Sequence, residues 1–215
     1  MKLIKKVTAF ITRGVSDEAD LLLFVHPDAG IQLPAGTVEL AEKPEDAVIR
    51  ETGEETGLTT LEIINLLGRQ SYTLPQGEMA VLRMTKLFDE PTYESSSRGL
   101  ALTRGSSVGV KGVVGEFSLV FGDALQIEQS GEKRVKKAEG YVRTTLLTNR
   151  MIRYFFHLNC IDSNQDQWNV SADGHLFKCF WTPLRRAAAL NQAQQTWLND
   201  YYEELVDSLN LHSGG

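Results

Sequence analysis

The sequence has only two cysteines among its 215 residues, Cys160 and Cys179, and no long apolar run. The two cysteines do not have the spacing of a metal site, so we expect two buried, reduced thiols in a cytoplasmic protein. A membrane-spanning helix needs about 20 apolar residues, which no segment approaches, so no membrane partner is expected. Residues 1–14 carry positive charge but lack the long apolar core and the cleavage site of a signal peptide.

Positive charge is also scarce. The chain has 22 lysines and arginines against 28 aspartates and glutamates, which gives a net charge of −6. Because this balance creates no general attraction for phosphate backbones, no nucleic-acid partner is expected. The remaining composition, 42% hydrophobic and 23% charged, is ordinary for a globular protein. The length fits one large domain, or one domain with a sizeable insertion.

The most informative stretch is Gly36 to Leu58, GTVELAEKPEDAVIRETGEETGL. Seven of its 23 residues are carboxylates. Pro44 suits the first position of a helix, where a missing N–H costs nothing, and Gly57 is a natural C-terminal stop. We therefore predict a helix from about Pro44 to Thr56, preceded by a turn at residues 34–37.

Three carboxylates share one face of this predicted helix. Glu51, Glu54 and Glu55 have i, i+3, i+4 spacing, and Arg50 borders them. The opposite face carries residues that can pack on the protein body: Ile49, Thr52 and Thr56. Clustered carboxylates repel one another, and a cation bound by oxygen ligands, such as Mg²⁺, Mn²⁺ or Ca²⁺, relieves the repulsion. From the three glutamates alone, a solvated acidic helix face is an equally good interpretation.

The complete spacing of the stretch decides between these interpretations. It is Gly36, five residues, Glu42, seven residues, Arg50-Glu51, two residues, Glu54-Glu55, one residue, and Gly57-Leu58. This pattern resembles the Nudix box, the signature of the Nudix hydrolase superfamily, and all of its invariant positions are filled in register. The one departure is Thr52, where the family prefers a bulky aliphatic residue; threonine is β-branched and can still pack.

The resemblance implies a fold class, α/β (α+β), in the form of a Nudix-type α/β/α sandwich with a mixed β-sheet. It also implies a single Nudix hydrolase domain over residues 1–215. The stretch at about 76–149 is longer than this fold usually carries there, and its glycine-punctuated β patterns favour an inserted β-rich segment.

The resemblance further implies an activity. Nudix enzymes hydrolyse a pyrophosphate bond in a nucleoside diphosphate linked to another moiety, with Mg²⁺ or Mn²⁺ as cofactor. The expected partner is therefore a small-molecule nucleotide, and a homodimer is a further expectation. The sequence LPAG at residues 33–36 resembles the entry to the box in ADP-ribose-type members, which implies ADP-ribose or nucleotide-sugar substrates rather than nucleoside triphosphates, whereas Tyr72 and Pro75 match no subfamily register. The alternative is a non-catalytic nucleotide-sensing module, although such modules often lose a box glutamate and this chain has lost none.

The box residues receive roles from the same resemblance. Glu54 and Glu55 are the first choice as metal ligands. Glu51 is either a third ligand or the general base. Arg50 orients a carboxylate by a bidentate pair rather than contacting substrate.

The loop before the helix supplies two further site residues. The carbonyl of Gly36 can ligate a metal, and Glu42 contacts a metal through water or supports the loop. Some relatives take another base or ligand from a distant loop. Glu116, Asp166 and Asp173 are candidates for it, and the sequence does not choose among them.

Outside the box, hydrophobic patterns predict strands at residues 3–12, 21–26 and 61–74. Residues 151–161 and 175–181 are predicted to form a strand pair, joined by a polar connection at 163–173. Residues 130–139 are predicted to be a charged turn, and residues 183–208 a closing helix. Phe24, Tyr154, Phe156, Trp168 and Trp181 could face a nucleobase, but aromatic residues on strands more often belong to the core.

Overall fold

The computed structural model describes residues 2–95, 99–127, 133–161, 165–172, 175–187 and 190–212. The chain divides into two compact units. The first, here the α/β unit, comprises Lys6–Gln70 and Arg153–Gly215; the second, here the β unit, comprises Met1–Lys5 and Ser71–Ile152. The prediction that residues 1–215 form a single domain with an insertion at about 76–149 stays a prediction.

The described strands are β1 (Ile4–Arg13), β2 (Asp20–His26), β3 (Gly30–Gln32), β4 (Ala35–Thr37), β5 (Leu61–Thr73), β6 (Glu78–Val81), β7 (Thr85–Lys86), β8 (Leu100–Leu102), β9 (Ser107–Val114), β10 (Phe117–Ile127), β11 (Lys133–Arg143), β12 (Leu147–Thr148), β13 (Arg150–Cys160), β14 (Gln167–Ala172) and β15 (His175–Pro183). The α-helices are α1 (Pro44–Thr56), α2 (Gln192–Asp200) and α3 (Tyr202–His212). Short 3₁₀ helices lie at Ser16–Glu18, Thr144–Leu146 and Leu184–Arg186. Within the residues that the structure describes, no helix is long and apolar enough to cross a membrane.

The sheet of the α/β unit has the strand order β14-β15-β2-β1-β13-β5. Two short strands join it at the side, since β3 pairs with β2 and β4 pairs with β1. The pairing of β4 with β1 places Gly36 opposite Val7. This sheet is the platform on which the box residues are arranged.

Both faces of this sheet are buried, and neighbouring residues along a strand point to opposite faces. One core contains Ile11 and Phe24 together with Ala47 and Val48 of α1. The other contains Phe10, with Leu198 of α2 and Leu205 and Leu209 of α3. The unit is thus an α/β/α sandwich with a mixed sheet, which confirms the predicted fold class.

A buried polar network joins α3 to this sheet. The two ring nitrogens of His157 on β13 lie 2.8 Å from Thr12 Oγ1 on β1 and 2.7 Å from Ser208 Oγ on α3. His157 and Thr12 are fully buried, and Ser208 is nearly so. Because both ring nitrogens have hydroxyl partners, the imidazole is accommodated in the core without an unpaired polar atom.

The β unit has its own sheet and its own core. The strand order is β12-β6-β9-β10-β8-β7, with β11 added to β10. A bridge between Phe88 and Tyr141 links the chain after β7 to β11. One face buries an aliphatic cluster that includes Val81, Leu102 and Val120. The expected β-rich character of the middle of the chain is therefore present.

Two predicted turns are strands instead. Most of the predicted charged turn at 130–139 belongs to β11, which pairs with β10 from Lys133 to Arg143; residues 130–132 lie outside the described part. Lysine and arginine dominate this segment because it lies at an edge, where charged side chains are favoured. The predicted turn at 34–37 contains β4, whose pairing with β1 could not be foreseen from three residues of which only Thr37 favours a strand.

The C-terminal third also differs from its prediction. The strands at 151–161 and 175–181 do not pair with each other, since β13 lies between β1 and β5 whereas β15 lies between β14 and β2. The polar connection between them contains β14. The predicted helix at 183–208 is interrupted: α2 begins only after Asn191, whose side chain caps it by accepting from Gln194 N at 3.0 Å.

Candidate active site

Helix α1 has the predicted bounds, Pro44–Thr56. Pro44 stands in its first turn together with Glu45 and Asp46, whose negative charges are favoured by the helix dipole. The helix ends at Gly57, which adopts a left-handed φ of 72° and donates its N–H to the Gly53 carbonyl. Only glycine takes this conformation without a steric penalty, so the end of the helix is fixed by sequence.

The orientation of α1 follows from its buried face. Ala47, Val48, Thr52 and Thr56 are buried against the sheet. Thr52, the departure from the family pattern, packs as expected and is fully buried. The opposite arc of the helix consequently presents its carboxylates towards β4 and solvent.

Two of these carboxylates are anchored to β4. Glu51 Oε1 accepts a hydrogen bond from Thr37 N at 2.9 Å, and Glu55 Oε2 accepts one from Ala35 N at 2.9 Å. Four helical residues rise about 6 Å and two strand residues about 6.6 Å. The i, i+4 pair on α1 therefore matches the i, i+2 pair on β4, and both glutamates are held on either side of Gly36.

Gly36 permits this close approach. A Cβ atom at this position would lie 1.9 Å from Glu51 Cδ and 2.2 Å from Glu51 Oε2. Any side chain would therefore displace the carboxylate from the strand. The requirement for glycine here is one of space rather than of backbone conformation.

Arg50 connects the remaining acidic residues. Its Nε and Nη2 donate to the two oxygens of Glu42, each at 2.9 Å, and Nη2 also donates to the Thr37 carbonyl at 3.1 Å. Nη1 lies 3.0 Å from Glu51 Oε1 and 3.2 Å from Glu54 Oε2. Arg50 thus forms a bidentate pair with the Glu42 carboxylate.

These contacts shift the pKa values of the site residues in different directions. The hydrogen bonds from Arg50 lower the pKa of Glu42, with a further contribution from the Glu39 N–H at 2.7 Å. Burial raises the pKa of Glu51, although Arg50 and the Thr37 N–H oppose it. Its hydrogen bond to Glu42 raises the pKa of Arg50. Glu42 is therefore held as an anion, while Glu51 binds a proton more readily than an ordinary glutamate.

The site contains the oxygen donors that Mg²⁺ and Mn²⁺ prefer, and the Glu51 carboxylate occupies the space that a Cβ of residue 36 would take. Across the described ranges, however, no group of three or more His, Cys, Asp and Glu side chains lies close enough to hold a metal ion. Glu51 and Glu55 bind β4, whereas Glu54, with a side chain 58% exposed, binds Arg50. The three share a helix face as predicted, and their role as metal ligands stays a prediction.

The more distant candidates have other partners. Glu116 is in the β unit and accepts a hydrogen bond from the Tyr93 hydroxyl at 2.9 Å. Asp166 is 86% exposed and pairs with Arg13 at 2.6 Å. Asp173 lies outside the described residues. Among the described residues, Asp166 has no hydrogen bond or ion pair with the box.

The backbone groups that anchor the box were not predicted. The N–H groups of Ala35 and Thr37 and the Thr37 carbonyl all bind box side chains. A sequence carries no direct sign of such backbone partners, because every residue other than proline offers them. Only the required glycine between them pointed to this position.

Comparisons with known proteins find one family model over part of the chain and several distant solved structures. Residues 4–90 match the family model described as the NUDIX domain. Among solved structures, a C. elegans Ap4A hydrolase is 13% identical, covering 95% of this chain and 98% of that chain with a TM-score of 0.44. A NUDIX family hydrolase from Clostridium perfringens is also 13% identical, covering 98% and 99% with a TM-score of 0.39. No curated protein matches this chain.

Residues 4–90 are therefore identified as a NUDIX domain. This match supports hydrolysis of a pyrophosphate bond as the general chemistry. The solved structures are too distant to indicate a substrate.

Proposed function

We propose that the protein hydrolyses a pyrophosphate bond in a nucleoside diphosphate linked to another moiety, with a divalent metal ion as cofactor. One observation carries the proposal: Glu51 and Glu55 are held on either side of Gly36 while Arg50 joins the other two invariant carboxylates of the box, Glu42 and Glu54. Every invariant residue of the box thus has a contact that depends on its chemistry. A helix that was acidic for solubility alone would not need this set.

Glu51, Glu54 and Glu55, with the Gly36 carbonyl, are the groups we assign to hold Mg²⁺; Mn²⁺ accepts the same oxygen ligands. When bound, the ion neutralises charge on the pyrophosphate oxygens as water attacks phosphorus. Glu54 is the most solvent-exposed of the three, and it gives up only one contact with Arg50 to take another partner.

Glu51 suits the role of proton acceptor. Its burial raises its pKa towards neutrality, which makes it a stronger base than an exposed glutamate. Arg50 and the Thr37 N–H fix the orientation of its carboxylate. Arg50 acts here as a positioning residue, because its guanidinium is already shared among Glu42, Glu51 and Glu54.

For the substrate we propose an ADP-ribose or nucleotide-sugar type of compound rather than a nucleoside triphosphate. The support is the LPAG sequence at residues 33–36, where Ala35 and Gly36 form the strand that binds the box helix. The homodimer and the cytoplasmic location expected from the sequence stay predictions.

The decisive experiment is a nucleotide panel with Mg²⁺, in which products are identified by phosphorus NMR or chromatography. Nucleoside diphosphate sugars, dinucleoside polyphosphates and nucleoside triphosphates would be compared at equal concentration. Glu54→Gln and Glu55→Gln should each lower the rate by orders of magnitude with the fold retained. Glu45→Gln is the matched control, because it makes the same charge change on the same helix but in its exposed first turn.

Two results would contradict the proposal. Unchanged turnover in both the Glu54 and the Glu55 variant would remove the metal-site assignment. Tight nucleotide binding without turnover of any panel member would favour the sensing module instead.

A further inference from the structure

A cavity of about 540 Å³ lies in the α/β unit beyond the C-terminal end of α1. It is bounded by the chain that leaves the helix and by β14. The residues that matter for its chemistry are Leu58, Thr59, Thr60, Trp168, Asn169 and Val170. This volume is within the range of pockets that enclose small organic ligands, about 300–1,000 Å³.

One wall of the cavity is an indole in a fixed orientation. Trp168 Nε1 donates to the Thr56 carbonyl at 2.6 Å, so its polar group is already used to complete the end of α1. The ring of Trp181 lies behind it, with centroids 6.4 Å apart. Since the indole cannot rotate without losing this hydrogen bond, its exposed face is prearranged to stack on a flat ring.

The other walls are uncharged. Leu58 and Val170 are apolar, and Thr59 and Thr60 carry hydroxyl groups that can both donate and accept. None of the described residues that line the cavity carries a charge. The carbonyl end of α1 is the negative end of its dipole, which disfavours an anion there. The cavity thus fits a neutral flat ring with hydrogen-bonding edges, and it does not fit a phosphate group.

We propose that this cavity binds a nucleobase stacked on Trp168, with its edge hydrogen-bonded by the threonine hydroxyls. The choice of a nucleobase among flat heteroaromatic rings rests on the proposed function, because the cavity begins at Thr56, directly after the assigned metal ligand Glu55. The site itself is distinct from the metal-binding face, which is defined by β4 and Arg50.

The test uses the full chain labelled with 5-fluorotryptophan and titrated with adenosine, guanosine, cytidine and uridine in EDTA, followed by fluorine NMR. The three signals are assigned with single Trp→Phe variants. We expect a saturable shift of the Trp168 signal with at least one nucleoside, while the signals of Trp181 and Trp197 move little. The titration itself is carried out on the unsubstituted chain, and the variants serve only to assign the signals.

Variants then test the wall directly. Because stacking on an aromatic ring contributes strongly to base binding, Trp168→Ala should weaken nucleoside affinity about tenfold or more. Trp197→Phe, a change on the other side of the sheet, should leave affinity unchanged. Equal shifts of all three signals, or no saturable shift of Trp168 at millimolar nucleoside, would overturn the proposal.

The outcome is separable from that of the proposed function. A nucleoside has no phosphate and EDTA removes metal ions, so binding is independent of hydrolysis. A chain that binds nucleosides at Trp168 but hydrolyses nothing retains the site and refutes the activity. A chain that hydrolyses nucleotides without any Trp168 response retains the activity and refutes the site.

Discussion

Thr52 offers the sharpest test of how α1 is held against the sheet. Its side chain is fully buried, and its Oγ1 has no hydrogen-bond partner among the described residues. Four residues later, Thr56 is also fully buried, but its hydroxyl donates to the Thr52 carbonyl at 2.6 Å and accepts from Leu58 N at 3.3 Å. Two threonines on one helix face thus differ only in whether the hydroxyl is paired.

We expect Thr52→Val to stabilise the protein. Valine keeps the β-branched shape and has a similar helix propensity, so packing and backbone preference change little. A buried hydroxyl without a partner costs about 1–3 kcal/mol, and most of this cost disappears with the oxygen. We therefore expect a gain of about 1 kcal/mol in the free energy of unfolding, and a rise of about 2–4 °C in Tm for a chain of this size.

Thr56→Val is the matched control and should have the opposite sign. It removes a donor and an acceptor that are both in use, which should cost about 1 kcal/mol. Urea denaturation followed by circular dichroism measures the free energy of unfolding of both variants. The comparison requires that their m-values are equal. If Thr52→Val destabilises the protein as much as Thr56→Val does, the unpaired state of the Thr52 hydroxyl is refuted.

Three further predictions concern the site and the thiols. Gly36→Ala should remove most activity while the fold persists, because a Cβ 1.9 Å from Glu51 Cδ displaces that carboxylate; matched circular dichroism and rate measurements check this. Glu42→Gln should lower the free energy of unfolding at neutral pH, because Arg50 lowers the pKa of Glu42 and stabilises its anion. The stability difference between the two proteins should shrink as pH falls below about 4.5, where Glu42 becomes protonated. Unfolding curves between pH 3 and 7, on the order of one per pH unit, test this pH dependence. Burial raises the pKa of Cys179 to about 12, so a thiol reagent at pH near 8 should label this residue only after denaturation, as mass spectrometry can show.

The box helix could be predicted from sequence because its limits are local. Proline at the start and glycine at the end act within a single turn, so both bounds agree with the structure. The contacts of Arg50 were likewise foreseeable in kind, since a guanidinium among carboxylates pairs with one of them.

Features that depend on distant segments were not predictable in this way. Segment 130–139 is rich in lysine and was predicted to be a turn, but pairing with β10 makes it a strand. The neighbours of β13 and β15 follow from the order of the whole sheet, which no pattern within either strand specifies. The helical pattern of residues 183–208 is continuous, but the side chain of Asn191 caps a helix that begins after it.

The spacing of the box can be understood from the geometry of two elements. Helical side chains point back towards the N-terminus, so Arg50 reaches Glu42, which lies before the helix begins. The next residue, Glu51, faces the end of β4, and Glu55, one turn later, faces its start, because α1 runs antiparallel to the strand. Shifting any one of these residues by a single position would rotate it about 100° away from its partner. The fixed intervals of the box therefore match the geometry of a helix that packs closely on a strand at a glycine. In this arrangement Glu54 is more exposed than Glu51 and Glu55.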